Sequence, residues 1–274
     1  MTGRRLTRQE KKANRTGTMV FLGILVVSLV LIFALPQFYV STIQINGKRI
    51  VTEEQVLSIG GLKEGSHLFQ GVSGALKDLF QLRHRNAEKA LMENLPYIKN
   101  IEIKSIFPSI LSVTLEERVE VAYIAISDGC VIIDSEGVAL EVLGSAGERG
   151  IPVIQGITAN KVQLGQKTAV DLQSSLSDAI VLLNDIINAD RDTRTDVKLL
   201  PAIKTIRPMQ EGILFLTVQL PKTGEELIVK VKNSSINADN MLWLRFALEQ
   251  GKLEGKGKGI LDLSTSQKVF QPES

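Results

Sequence analysis

Residues 16–47 contain no charged side chain, and between 19 and 35 the chain is almost purely Val, Leu, Ile, Phe, Gly and Ala. Read as a helix over residues 17–38, about 22 residues at ~1.5 Å each reach roughly 33 Å, enough for a hydrocarbon core of about 30 Å. A cleaved secretory signal has a shorter apolar core, about 7–15 residues, ending in an A-x-A-like site. Here the run is longer and leaves through Leu35, Pro36, Gln37, Phe38 and Tyr39. The expectation is a retained single-pass anchor, with Phe38 and Tyr39 at the outer interface, where amphipathic rings are enriched.

Arg4, Arg5, Arg8, Lys11, Lys12 and Arg15 precede this run, against Glu10 alone, so the tail carries +5 of a net +2 and the remainder is −3. Basic residues at one end of a span place that end in the cytoplasm, and these six are also drawn to an anionic lipid surface. The expected topology is a cytoplasmic N-terminus with the folded part outside, in the cell membrane. A mildly acidic body is not that of a nucleic-acid binder, whose basic residues form a patch on the folded domain. One Cys and two His among 274 residues exclude a disulfide framework and argue against a Cys- or His-ligated metal centre.

Beyond the anchor, Ile43 and Ile45 alternate with Gln44 and Asn46 as in a strand, and Thr52 to Gln55 reads as a capping box opening a short helix that Gly60 and Gly61 end. A second helical stretch is expected between residues 74 and 95, with Leu76, Phe80, Ala87, Leu91 and Leu95 on its stripe and Pro96 closing it. Two half-buried strands follow, Ile101 and Ile103 in one, Leu111, Val113 and Leu115 in the other, joined at Phe107, Pro108 and Ser109. One-sided alternation means that helices cover one face of this sheet.

These residues, with Gly47, Gly65, Leu68, Phe69, Leu95, Pro96, Ile98, Glu117 and Arg118, resemble the FtsQ/DivIB family of bacterial cell-division proteins, whose first outer domain is a POTRA domain (βααββ). The resemblance continues through Val121, Ala122, Ile132, Ile133, Asp134, Glu136, Gly137, Pro152, Val153 and Ile154 and ends at Leu261, Asp262 and Leu263. Two departures stand out: Glu120 where the family usually has Pro, and an excess of about ten residues between Phe69 and Leu95 that includes Arg83, His84 and Arg85, read as a surface extension of the helix. The resemblance implies an α+β chain: a basic cytoplasmic tail at 1–17, a transmembrane helix at 18–38, a POTRA domain at 39–118, a mixed β domain with two helices at 119–266 and a short tail at 267–274.

Within the second domain, the apolar stripe of Leu172, Leu176, Ile180, Leu183 and Ile187 predicts a helix, Leu214 to Val231 a hairpin, Trp243 and Phe246 a short helix, and residues 260–264 a last strand. In family terms this C-terminal strand region docks FtsB/DivIC-like and FtsL-like bitopic division proteins. A terminal strand at a sheet edge leaves N–H and C=O groups unpaired for strand addition, so Ile260, Leu261, Asp262, Leu263, Ser264 and Thr265 are the candidate partner-binding residues.

Catalytic signatures are absent from the sequence. His67 and His84 lie 17 residues apart without HExxH spacing, no G-x-S-x-G occurs, and Gly255 to Gly259 does not complete a phosphate loop. Both histidines read as surface residues and Cys130 as core. The reading is a non-enzymatic divisome scaffold at the septum that couples and regulates septal wall synthesis, with no cofactor or small-molecule substrate. A POTRA-type chaperone or export component that binds polypeptide by strand addition is the alternative, and an anchored wall hydrolase lacks a catalytic constellation.

Overall fold

The structure is a computed structural model that describes residues 8–147, 149–191 and 196–273, with side chains in the first helix limited to 17–28, 30 and 31. The chain divides into two compact units, Met1–Asn94 with Asn100–Glu117, and Leu95–Lys99 with Arg118–Ser274.

In the first unit, α1 (Arg8–Ala34) is followed after Leu35 by a 3-10 turn, Pro36–Phe38, then β1 (Thr42–Asn46), α2 (Glu53–Gly60), α3 (Leu76–Phe80), α4 (Arg85–Asn94), β2 (Ile98–Ile106) and β3 (Ile110–Glu117). Among the described residues no helix is long and apolar enough to cross a membrane. The predicted capping box forms in full: Thr52 accepts from the Gln55 N–H and Gln55 from the Thr52 N–H, while Gly61 ends α2 at φ 62°. β3 is the central strand, parallel to β1 and flanked by β2. Val56, Leu91, Ile103, Leu111 and Val113 are buried as the core of this βαααββ unit. Beside it, the Glu117 carboxylate accepts the backbone N–H groups of Arg49, Ile50 and Val51 and ties the loop after β1 to the end of β3.

Three expectations are corrected here. The single helix over 74–95 is two helices, because the chain breaks at 81–84 to run alongside β2, where the His84 N–H donates to the Ile103 carbonyl and the Ser105 N–H to the Leu82 carbonyl. Leu76 and Phe80, placed on a buried stripe, are 76 % and 88 % exposed. His84 is buried rather than at the surface: its Nε2 lies 2.9 Å from Ser105 Oγ, whose own hydroxyl donates to the Leu68 carbonyl, so Nε2 carries the proton.

Burial holds the His84 ring below the ordinary histidine range, although the Glu88 carboxylate opposes the shift. The unfolded chain therefore takes up the proton first on acidification. The stability due to the neutral ring is complete above the ordinary histidine value and is lost as pH falls from there through the folded value. Melting followed from neutral to mildly acidic pH is expected to show this decline, and His84→Gln to flatten it; an unchanged slope would refute the assignment.

The second unit holds β4 (Glu120–Ile126), β5 (Gly129–Asp134), β6 (Ala139–Leu143), β7 (Val153–Lys161), β8 (Ala169–Val170), α5 (Gln173–Asp190), β9 (Ile203–Pro208), β10 (Ile213–Gln219), β11 (Glu226–Lys232), α6 (Asn237–Glu249), β12 (Gly259–Asp262) and β13 (Val269–Pro272). Nine strands follow the order β13-β12-β11-β10-β9-β7-β4-β5-β6, with β8 attached to β7. Alternation at Leu214, Leu216 and Val218 turns those side chains into a core shared with Leu176, Leu183 and Ile186 of α5 and Met241, Leu244 and Leu248 of α6. Cys130 lies in a second apolar cluster with Tyr123, Ile132 and Leu140, and burial pushes its thiol up.

Candidate functional site

The predicted docking residues lie where α6 returns the chain to the sheet. β12 runs parallel to β11, with Ile228 opposite Ile260 and Lys230 opposite Asp262. Past its end, the Leu263 N–H donates to the Lys230 carbonyl at 2.8 Å and the Asn240 amide to the Leu263 carbonyl at 2.8 Å. Leu261 and Leu263 are buried in the domain core. Asp262 faces Lys230 Nζ at 2.9 Å and accepts from both the N–H and the hydroxyl of Ser264. Partial burial raises its carboxyl, yet the bonds from Ser264 and the Lys230 ammonium outweigh that and hold it below the usual carboxylate range. Ile260 is half-buried, and the Thr265 hydroxyl donates to the Gln267 carbonyl.

β12 is not the edge of the sheet. Residues 267–274, expected as a tail, supply β13, which pairs antiparallel with β12 at Gly259↔Pro272, Ile260↔Gln271, Leu261↔Phe270 and Asp262↔Val269. Gly259 makes room for it: a Cβ there would meet the Gln271 carbonyl oxygen and the Phe270 ring at 2.6 Å. Phe270 packs against the domain core, and Lys256 lies 5.6 Å over its ring. This signal is nearly invisible in sequence, because a four-residue strand ending in Pro has no alternation to read.

The Glu273 N–H donates inward to the Lys258 carbonyl. Antiparallel alternation then turns the backbone groups of Gln271 and Val269 toward β12 as well, and leaves those of Phe270 and Pro272 facing away from it. Since Pro has no N–H, the free edge of β13 offers a single amide donor, a blunted template for strand addition. On the sheet face beside it, Thr217, Ile228, Ile260, Gln271 and Pro272 line an open groove of about 400 Å³.

Of the basic residues expected at the lipid surface, Arg4 and Arg5 lie outside the described residues; Arg8, Lys11, Lys12 and Arg15 fall on α1, with side chains outside the description. Asp134 and Glu136 form a turn held by Arg118, whose guanidinium reaches Asp134 at 2.5 Å and Glu136 at 3.1 Å, while Asp134 accepts the N–H groups of Glu136 and Val138. Among the described residues no group of three or more His, Cys, Asp or Glu is placed to hold a metal ion.

Residues 38–118 match the family described as POTRA domain, FtsQ-type. The chain is 27 % identical over 137 residues to Cell division protein DivIB of Clostridium acetobutylicum, a match spanning 50 % of each protein. It is 25 % identical over 193 residues to Cell division protein FtsQ of Corynebacterium glutamicum, covering 63 % of this chain and 81 % of the relative. Over 261 residues, 93 % of this chain, it is 23 % identical to Cell division protein DivIB of Clostridium botulinum strain Hall, of which 90 % is covered. The chain thus carries an FtsQ-type POTRA domain and is similar to the FtsQ and DivIB cell division proteins over most of its length.

Proposed function

We propose that this protein is a non-enzymatic scaffold of the divisome, anchored by residues 18–38 with its basic tail in the cytoplasm and both folded units outside, and concentrated at the division septum. The observation that carries the reading is the FtsQ-type domain at 38–118, directly after the apolar stretch at 19–35. Exposure supports the anchor. Met19, Phe21, Ile24, Val27 and Val30 of α1 are each more than half exposed, as lipid-facing side chains would be, and the Ser28 hydroxyl is satisfied within the helix by the Ile24 carbonyl.

The partners are FtsB/DivIC-like and FtsL-like bitopic proteins, whose docking here couples and regulates septal wall synthesis; confinement to one membrane lets modest affinities suffice. Docking is at the C-terminal corner, where a partner strand takes the place of β13 on β12. The outward groups of β13 are too few to hold one, whereas Ile260 and Asp262 have backbone groups that β13 now occupies. Deleting residues 267–274 is therefore expected to strengthen partner binding, and an unchanged affinity in a folded chain would sink this docking mode. A fluorescent fusion before Met1 is expected to form a late mid-cell band. Uniform membrane signal with normal division on depletion would reject the scaffold and favour polypeptide binding in export or chaperoning.

A further inference from the structure

We infer that the POTRA unit lies against the outer surface of the anchoring bilayer through an apolar face built from its aromatic end and α3. This inference rests on the anchor reading above. The rings of Phe38, Phe69 and Phe107 form a triangle with centroids 5.7–6.2 Å apart, and His67 joins Tyr39 to it at 5.2 Å and Phe69 at 5.5 Å. The outer members of this cluster are open, Tyr39 at 43 % and Phe107 at 54 % exposed, and so is Ile106, next to Phe107 in the chain, at 47 %. Aromatic side chains of this kind favour the boundary between hydrocarbon and water.

No slack separates the cluster from α1. Only Leu35 stands between Ala34 and the turn Pro36–Phe38. The following residues are tied down, with the Leu68 N–H on the Phe38 carbonyl, the Val40 N–H on the Ser66 carbonyl and the Gly65 N–H on the Val40 carbonyl. A bilayer holding α1 therefore meets Phe38 and its neighbours directly.

α3 extends this face. The Leu82 carbonyl, just past the helix, accepts the Ser105 N–H, one residue before Ile106, so α3 hangs from the end of β2 that carries Ile106 and Phe107. A surface helix normally turns its apolar stripe inward, and α3 does the reverse. Asp78 faces in, paired with Arg85 Nε at 2.8 Å and accepting the Ala75 N–H. Leu76, Leu79 and Phe80, at i, i+3 and i+4, share the outward face. An exposed apolar stripe tethered beside the strand end that leads into Phe107, together with the aromatic cluster, fits the headgroup–acyl boundary of a lipid surface.

The test uses the full chain in vesicles containing lipids brominated near the headgroup, with single tryptophans in a Trp243→Phe background. Should that background unfold, the native Trp243 signal is retained and subtracted. Phe80→Trp and Phe107→Trp are expected to emit at shorter wavelength and lose emission to the brominated lipid, whereas Glu93→Trp, at the end of α4, is not quenched. Val26→Trp reports the anchor. Quenching at 26 without quenching at 80 and 107 would leave the anchor standing, overturn the lipid contact and assign the apolar face to a protein partner. Absence of quenching at 26 would remove the anchor and the inference built on it. Equal quenching at 80, 93 and 107 would also overturn it, since no face would then be selected.

Discussion

Glu88→Ala is expected to cost the POTRA unit about 3–5 kcal/mol, because removing one member of a buried ion pair leaves its partners uncompensated. The Glu88 carboxylate is 1 % exposed and accepts Arg83 through both oxygens at 2.9–3.1 Å, Arg85 at 3.1 Å and the Ile103 N–H at 2.8 Å. It thus fastens α4 to β2 and holds the segment that precedes α4. Glu88→Gln keeps an acceptor for the Ile103 N–H while removing the charge, and its cost is expected at about 1.5–3 kcal/mol. Denaturant unfolding of the two variants measures both values. Wild-type stability in Glu88→Ala would show that the cluster contributes nothing net.

Arg245→Ala is expected to lower the stability of the second unit by a similar amount, about 3–5 kcal/mol. Arg245 projects from α6 and is fully buried, with Nε donating to the Val197 carbonyl at 2.6 Å and Nη1 to the Ala189 carbonyl at 2.5 Å. Ala189 stands in the last turn of α5, where carbonyls lack helical partners and a cation is favoured. Asp190 Oδ1 lies 3.6 Å away and accepts the Leu199 N–H, while Oδ2 accepts that of Leu200. One guanidinium therefore closes α5, holds Val197 and joins α5 to α6. Arg245→Met fills the space but removes the donors to both carbonyls, so it is expected to fall between Ala and wild type. Unfolding curves in which Met equals wild type would mean that the stem packs and the charge is idle.

Neither residue stood out in the sequence, and the reason is the same for both. Periodicity reports which side of an element faces a core, so it finds Leu111 and Val113, or Leu214 and Leu216, from their spacing alone. A buried charge is defined by the partners the fold assembles around it, Arg83, Arg85 and the Ile103 N–H for Glu88 and carbonyls 48 and 56 residues away for Arg245. Helical spacing misled at Leu76 and Phe80 because a stripe says that a face is apolar and not what covers it.

From the sequence alone came the features carried by neighbouring residues: the charge-free run and its basic flank, the Thr52–Gln55 capping box, the paired strands of the POTRA unit and the hairpin of the second. Tertiary structure decided what depends on remote pairing. It broke the helix at 81–84 to run beside β2, enclosed His84, and placed β13 over the strand expected to be free. Local conformational preferences act over a few residues and are written in them, whereas burial and strand order depend on which distant surfaces meet.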